Sequence, residues 1–315
     1  MTRDIRSQLG SLHLRARKSL GQNFLADESV LDDIVAAAEV GPEDTVVEVG
    51  PGLGVLTARL AGAAQRVIAV ELDPRLAAIL NRAFGSNRGV TIVVGDILKL
   101  PPKELLAAHA SEARGAQSYK VVANLPYYIT SPVLRHFLEA GEKPSRMVVM
   151  VQKEVGEAIA AGPGDMSLLS VTVQFYACPS IVRVVPAASF YPAPKVDSVV
   201  LRLDVRPEPA IRVSDVQSFF GLVRCGFSAR RKQLHNSLAH ALGMTAGRVA
   251  TLLSESKIDP QRRAESLSLA EWAIMYERFG GDADSRGSCQ AESSPGSTRQ
   301  AKRWVSRDTQ PRADR

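Results

Sequence analysis

The residues best equipped for chemistry sit where a β-branched run breaks into an amide, a proline and two aromatic rings: Val121-Val122-Ala123-Asn124-Leu125-Pro126-Tyr127-Tyr128-Ile129-Thr130. Val121 and Val122 read as a buried strand whose ladder Pro126 cannot continue. Asn124 then falls at the strand's carboxyl end, where open α/β sheets place their ligands. Its amide oxygen and the main-chain carbonyl of Leu125 are two neighbouring acceptors, Pro126 stiffens the turn that carries them, and Tyr127 offers a flat face. Such a set suits gripping an exocyclic amino group on a planar base while that base is stacked. The same residues also suit an ordinary strand-to-turn junction with core aromatics, and the rest of the chain has to decide.

A second constellation lies upstream. Glu48-Val49-Gly50-Pro51-Gly52-Leu53-Gly54 follows a strand and opens a helix, and glycines there let backbone approach a ligand closely. A dinucleotide fold wants G-x-G-x-x-G, but Val55 occupies the third glycine position. Glu71 ends the next strand and can accept from both hydroxyls of a ribose. Asp96 ends the third and can accept from an adenine amino group. No Lys or Arg lies beside the loop to meet a pyrophosphate. The pattern favours S-adenosylmethionine, which is cationic at sulfur and carries no phosphate, over NAD.

The elements that must position these groups follow from periodicity and punctuation. Asp27 can cap a helix that places Val30, Leu31, Ile34, Val35 and Ala38 on one face. Strands are expected at Thr45–Val49, Arg66–Val70, Val90–Val94, the run ending at Asn124, and Met147–Val151. Helices alternate with them, at Val55–Ala61, after Pro74 at its favoured first position, at Pro101–Ala110 and after Ser131-Pro132. This repeated β-α order predicts a doubly wound, mostly parallel sheet. Met166–Ala177 reads as a helix. Ile181–Val185 and Ser198–Leu203 read as strands pairing antiparallel at one edge, with Phe190-Tyr191-Pro192-Ala193-Pro194-Lys195 as a stiff loop standing off the sheet's end. Pro207 and Pro209 mark a linker, and four short helices are expected over 214–279. The resulting organisation is a basic N-terminal arm over 1–26, an α/β domain over 27–205, a small all-α domain over 206–280 and a disordered tail over 281–315.

The chain has 315 residues, 45% of them hydrophobic, and a net charge of +6. Residues 1–26 carry five Lys/Arg against one Asp, residues 27–204 carry 16 against 20 acids, and residues 205–315 carry 18 against 12. Basic ends flanking a slightly acidic body suggest arms for a polyanion. No apolar run approaches the roughly 18 residues of a membrane span, and the first 20 residues lack the apolar stretch of a signal peptide. Cys178, Cys225 and Cys289 form no CxxC pair, and His235 and His240 are poorly spaced for shared ligation, so no metal site is expected. A reducing, cytoplasmic setting is expected.

The sequence resembles the rRNA adenine N6,N6-dimethyltransferases of the KsgA (RsmA) family. The likeness rests on Gly21-Gln22-Asn23-Phe24-Leu25, the Glu48–Gly54 loop, Glu71, Gly95-Asp96 and Asn124–Ile129. It continues through Val151-Gln152-Lys153-Glu154, Phe190–Ser198 and Gly226-Phe227-Ser228-Ala229-Arg230-Arg231-Lys232. These motifs span about residues 15–279, and the tail beyond Gly281 matches no family feature. The resemblance implies a Rossmann-like methyltransferase with cofactor contacts at Asn23, Leu25, Gly50, Glu71, Asp96 and Asn124, to which the loop reading adds Gly52. It implies the N-terminal segment as a lid, and as substrate two adjacent adenines near the 3′ end of 16S rRNA in the immature 30S subunit. A monomer is expected. Gly50-Pro51-Gly52, the Leu125-Pro126 pairing and the Arg-Arg-Lys segment favour small-subunit enzymes over the related macrolide-resistance methylases of 23S rRNA, and Tyr128-Ile129-Thr130 has a bacterial look. A non-catalytic assembly or nucleic-acid-binding factor on the same fold is a third reading.

The implied reaction is direct methyl transfer to adenine N6. Asn124 and the Leu125 carbonyl would accept the two N–H bonds of the amine and aim its lone pair, and positioning at roughly 3–3.5 Å supplies much of the acceleration. No dedicated general base is required. Tyr127 and, by resemblance, Phe190 would stack the extruded base. Arg230, Arg231 and Lys232 are expected to open a helix continuing through Leu234 and Leu238, and are assigned to rRNA phosphates, where they position rather than specify.

Overall fold

Five β-branched runs form the parallel part of a seven-stranded sheet in a computed structural model that describes residues 4–109, 118–229 and 231–283. The elements in chain order are α1 (Ile5–Ser11), β1 (Phe24–Leu25), α2 (Glu28–Ala38), β2 (Thr45–Val49), α3 (Val55–Ala61), β3 (Arg66–Glu71) and α4 (Pro74–Phe84). Next come β4 (Val90–Val94), α5 (Pro102–Ala108), β5 (Tyr119–Asn124), α6 (Thr130–Leu138), β6 (Arg146–Gln152), α7 (Lys153–Ala160) and α8 (Leu168–Tyr176). The chain then forms β7 (Ala177–Val185), β8 (Phe190–Tyr191), β9 (Ser198–Val205), α9 (Val216–Phe227), α10 (Leu234–Leu242), α11 (Ala246–Glu255) and α12 (Leu269–Ala283).

The strand order is β4-β3-β2-β5-β6-β9-β7, parallel from β4 to β6 and antiparallel at β9 and β7. The chain works outward from β2 to β3 and β4, then returns to lay β5 on the other side of β2. That reversal opens a crevice at the carboxyl ends of β2 and β5. β2 is buried at every position, as a strand covered on both faces must be, and its one acid, Glu48, is carried inside with it.

The two faces have separate covers. α2 and α3 bury Val30, Leu31, Ile34, Leu56 and Leu60 against Val46, Val67, Val122 and Val148. The opposite face, with Val47, Ile68, Val121 and Val149, packs on α6 and α8 and continues into the C-terminal helices. Phe175 of α8 stacks on Phe219 of α9 with centroids 5.4 Å apart, and Trp272 is fully buried in the same cluster. The expected linker is bonded back onto α8, with Arg206 N–H donating to the Tyr176 carbonyl and Ala210 N–H to that of Phe175, each at 2.8 Å. The helical segment therefore shares its core with the sheet instead of building its own.

Several expectations need correction, each for reasons of burial. Residues 5–11 are helical: Asp4 caps α1, and Ile5 and Leu9, four apart on one face, pack with Phe24 and Leu76. The stretch that begins at Phe190 is not all loop, because its first two residues form a strand of a separate two-stranded sheet. β8 pairs antiparallel with β1, Phe24 opposite Tyr191 and Leu25 opposite Phe190. The expected antiparallel pair at one edge is present as β9 and β7, with β9 against β6 and β7 outermost. α10 begins at Leu234, the first residue with a core to enter, which leaves Arg231 and Lys232 in the preceding turn and not in a helix. α12 runs to Ala283, past the boundary expected at 281. Arg230 and residues 284–315, with the disorder expected there, lie outside the described residues. No described helix is long and apolar enough to cross a membrane.

Candidate active site

The glycine loop is built from left-handed turns. Gly50, Gly52 and Gly54 have φ of +68°, +61° and +78°. At Gly52 a Cβ would also lie 3.2 Å from the Phe24 ring, so this position requires glycine on two counts. The loop's amides are already engaged. Gly50 N–H donates to the Val70 carbonyl, Gly54 N–H to that of Pro51, and Gly52 N–H to Glu71 Oε2 at 3.1 Å. A dinucleotide loop keeps such donors free for a pyrophosphate, and this one spends them internally.

Glu71 is 5% exposed. Its second oxygen accepts from Asp73 N–H at 2.8 Å. Burial pushes its carboxyl up, and the bonds from Asp73 and Gly52 hold that shift in check. Leu72, beside it, is 46% exposed and offers an apolar face at the strand end. Asp96 accepts from Leu98 N–H at 3.1 Å through Oδ1. Tyr128 is 41% exposed, and its phenol is pushed up by burial and then by the carboxylates of Asp96 and Glu71, which places its ring on this side of the crevice.

Glu48 is a strongly perturbed acid. It is 1% exposed, accepts from Thr57 Oγ1 at 2.6 Å, and burial raises its pKa to about 8, with the charge of Glu71 adding to the shift. It lines a cavity together with Phe24, Leu25, Pro51 and Asn124. Glu48, Glu71 and Asp96 thus line up at three successive strands as carboxyl groups, with Glu48 held protonated by its burial. With the occupied loop amides and the apolar Leu72, this set of acceptors fits a cationic nucleoside that lacks phosphate.

The amide end of the crevice is organised by the N-terminal strap. A cleft adjoining the first is lined by Gly21, Asn23, Asn124, Leu125, Pro126 and Tyr127. Asn124 Nδ2 donates to the Asn23 carbonyl at 3.2 Å. That bond fixes the amide so that Oδ1 remains as its acceptor. Leu125 N–H donates to the Met150 carbonyl at 3.2 Å, and among the described residues no hydrogen bond occupies the Leu125 carbonyl. Tyr127 is held at its hydroxyl by Ser198 Oγ at 2.6 Å. The strap is latched at the other side by Gln22 Nε2 donating to Asp73 Oδ2 at 3.3 Å. Glu48 as a buried acid, Leu72, Asp73 and Ser198 were not singled out as functional from sequence. Glu48 was legible as a charge inside an apolar strand, and the others depend on tertiary proximity.

The structure therefore brings Asn23, Gly50, Gly52, Glu71, Asp96, Asn124, Leu125, Pro126 and Tyr127 to neighbouring strand ends. Leu25 is 3% exposed in the strip that closes the first cavity. Phe190 departs from its expected place. It is 4% exposed and packs with Leu25, Val30, Val122 and Met150, while Tyr191 is the exposed ring of the pair. Its pairing with β1 draws it into the core, and it could meet a base only if that strip shifted. Arg231 and Lys232 are exposed and line neither cavity.

The profile of the family described as ribosomal RNA adenine dimethylase matches residues 13–280. The chain belongs to this family. The resemblance read from the motifs is thereby borne out. Among its relatives is ribosomal RNA small subunit methyltransferase A of Dehalococcoides mccartyi, 51% identical over 83% of this chain and 88% of that protein. The protein of the same name from Moorella thermoacetica is 46% identical over 82% of this chain and 91% of its own. Among solved structures, the 23S rRNA methyltransferase ErmE superposes with a TM-score of 0.64 at 27% identity, covering 82% of this chain and all of that one. A dimethyladenosine transferase from Plasmodium falciparum shares the fold, with a TM-score of 0.67 at 23% identity over 82% of this chain and 98% of that one. The Rossmann-like methyltransferase fold with a helical C-terminal region is thus common to the dimethylase family member and its neighbours.

Proposed function

We propose that the protein dimethylates N6 of two adjacent adenines near the 3′ end of small-subunit rRNA, with S-adenosylmethionine as methyl donor and the immature small subunit as partner. The observation that carries this reading is the Asn124 amide, locked by the Asn23 carbonyl with its oxygen left as an acceptor beside the Leu125 carbonyl. Adenine N6 bears two N–H donors and a lone pair delocalised into the ring. Two fixed acceptors on the N–H bonds favour a pyramidal nitrogen and direct its lone pair to one point. Preorganised acceptors of this kind also stabilise the positive charge that develops on nitrogen.

When bound, S-adenosylmethionine supplies a methyl carbon activated by a sulfonium. Glu71 would hold its ribose hydroxyls, Asp96 its adenine amino group, and Leu72 the face of that ring. Asn23, Leu25, Gly50 and Gly52 would border its remainder, and the buried Glu48 would favour its positive charge. Tyr127 presents the stacking face for the target base, and the proton leaves N6 to water after transfer. Arg231 and Lys232, with Arg230, would meet rRNA phosphates. Relatives named for the small subunit at 46–51% identity, against 27% for ErmE, support the small-subunit target.

The test is methyl transfer to immature small-subunit particles and to large-subunit rRNA, with Asn124→Ala beside the native protein and modified nucleosides read by mass spectrometry. The expected result is dimethyladenosine on the small-subunit substrate alone, and a loss of about 10²–10³-fold in rate for Asn124→Ala, the range for removing one preorganised hydrogen-bonding group. Native rates from Asn124→Ala would overturn the mechanism, and methylation confined to large-subunit rRNA would overturn the target.

A further inference from the structure

We propose that Ser198 is a positioning residue for methyl transfer, holding the Tyr127 ring through its hydroxyl at the angle at which the ring meets the target base. The proposal rests on the reading of Tyr127 as the stacking face.

Three observations lead to it. The Tyr127 hydroxyl and Ser198 Oγ are 2.6 Å apart, a short bond between two groups 71 residues apart in sequence. Ser198 is fully buried as the first residue of β9, flanked by Gln152 on β6 and Val185 on β7, so its own position is fixed from both sides. Tyr127 has no such support from its backbone. It lies in a single 3-10 turn between Pro126 and α6, and its side chain borders the cleft beside Asn124 and Leu125. A ring on a short turn, anchored only at Cβ, can swing. A tether at the far end of the ring, on a buried strand residue paired on both sides, sets its plane.

Chemistry also argues against a packing role. The neighbours Val199, Val200 and Leu201 are fully buried and apolar. A residue there for volume alone would be alanine or valine, since an unpartnered buried hydroxyl costs about 1–3 kcal/mol. The hydroxyl is accounted for by Tyr127, the one residue of the cleft floor with a polar atom that reaches it.

The test compares Ser198→Ala, Ser198→Thr, Tyr127→Phe, Tyr127→Ala and the double variant Tyr127→Phe/Ser198→Ala in single-turnover methylation of immature small-subunit particles. Cofactor affinity and melting temperature are measured alongside. Ser198→Ala and Tyr127→Phe should each slow transfer about 10-fold, and the double variant should be no slower than either, because both remove one shared interaction. Ser198→Thr keeps the hydroxyl and should recover most of the rate, while S-adenosylmethionine affinity stays within about twofold throughout, which a general loss of structure would not permit. A slow Tyr127→Ala with Ser198→Ala or Tyr127→Phe at native rate overturns the role of Ser198 alone, as does a double variant slowed about 100-fold, the product of independent effects. Tyr127→Ala at native rate overturns the stacking reading itself, so the two failures are distinct. If Ser198→Ala does not fold, Tyr127→Phe alone decides, since it keeps the ring and removes only the tether.

Discussion

Glu48 gives the structure a pH dependence of definite sign. Its carboxyl has an ordinary value of 4.5 and a folded value raised to about 8 by burial. Below 4.5 the folded and unfolded chains both hold the proton, and the group favours neither. Between 4.5 and 8 the unfolded chain releases the proton and the folded protein keeps it, so stability falls as pH rises, and the fall levels off once the folded carboxyl ionises near 8. At about 1.4 kcal/mol for each pH unit, the accumulated penalty at pH 7 is about 3 kcal/mol. Glu48→Gln removes the titration while leaving an amide oxygen to accept from Thr57 Oγ1. Its extra N–H adds an offset of about 1–3 kcal/mol that does not vary with pH. The informative quantity is therefore the difference between the two proteins across pH, from urea unfolding at intervals between pH 5 and pH 8. The native protein should lose about 2.5 kcal/mol relative to Glu48→Gln from pH 5 to pH 7, since part of the penalty is already present at pH 5. Parallel stability curves would refute the buried, protonated Glu48. The same group makes a binding prediction: a cationic cofactor beside it favours the carboxylate, so S-adenosylmethionine should bind the native protein with release of about one proton at pH 7 and Glu48→Gln with none. Calorimetry in buffers of different ionisation enthalpy reads this directly.

Gly52→Ala places a Cβ at φ +61° and 3.2 Å from Phe24; it should cost about 1–2 kcal/mol in thermal unfolding and weaken S-adenosylmethionine binding. Phe190→Ala removes a ring that is 4% exposed. A core position predicts a loss of about 3–5 kcal/mol in urea unfolding without cofactor or RNA, and unchanged stability would place the ring outside the core. The pair Arg231→Ala and Lys232→Ala should lower the slope of log affinity for rRNA against log salt by about 2 and leave S-adenosylmethionine affinity unchanged, since neither residue lines the cavities. An unchanged slope would remove both residues from the RNA interface.

What the sequence disclosed follows the range of the forces involved. The inner parallel strands were legible because strands buried on both faces read as continuous β-branched runs, and both β2 and the less buried edge strand β4 end where their punctuation says. Gly50, Glu71, Asp96 and Asn124 were legible for the same reason, since each sits just past such a run and strand ends share one edge of the sheet. Phe190 was misplaced because its partner, Leu25, lies 165 residues away, and a two-residue ladder leaves no periodicity to read. α1 was missed because Asp4, Ile5 and Leu9 are scattered among basic residues, although a cap followed by apolar residues four apart was there to find. Arg231 and Lys232 were assigned to a helix start that burial, beginning only at Leu234, moves downstream.

The N-terminal strap, read from sequence as a basic arm and lid, is what makes the proposed acceptors selective. An amide side chain presents either a carbonyl or an NH2 to a ligand, and only the carbonyl can receive N–H bonds from adenine N6. The Asn23 carbonyl takes the Nδ2 of Asn124 and so settles that choice. The same strap is tied through Gln22 to Asp73, whose main-chain N–H holds the Glu71 carboxylate. Asp73 is itself held ionised, its pKa lowered to about 2 by hydrogen bonding to Arg75, so this tie does not titrate near neutrality. One segment thus sets the orientation of the Glu71 carboxyl proposed for the ribose and of the Asn124 amide proposed for the methyl acceptor. Displacing it disturbs both at once, whereas Asp96→Asn, in the turn past the end of β4, touches neither. Glycine at 21, with φ +61° and room for a Cβ only at 3.2 Å from the Tyr128 ring, lets the strap lie this close over the crevice.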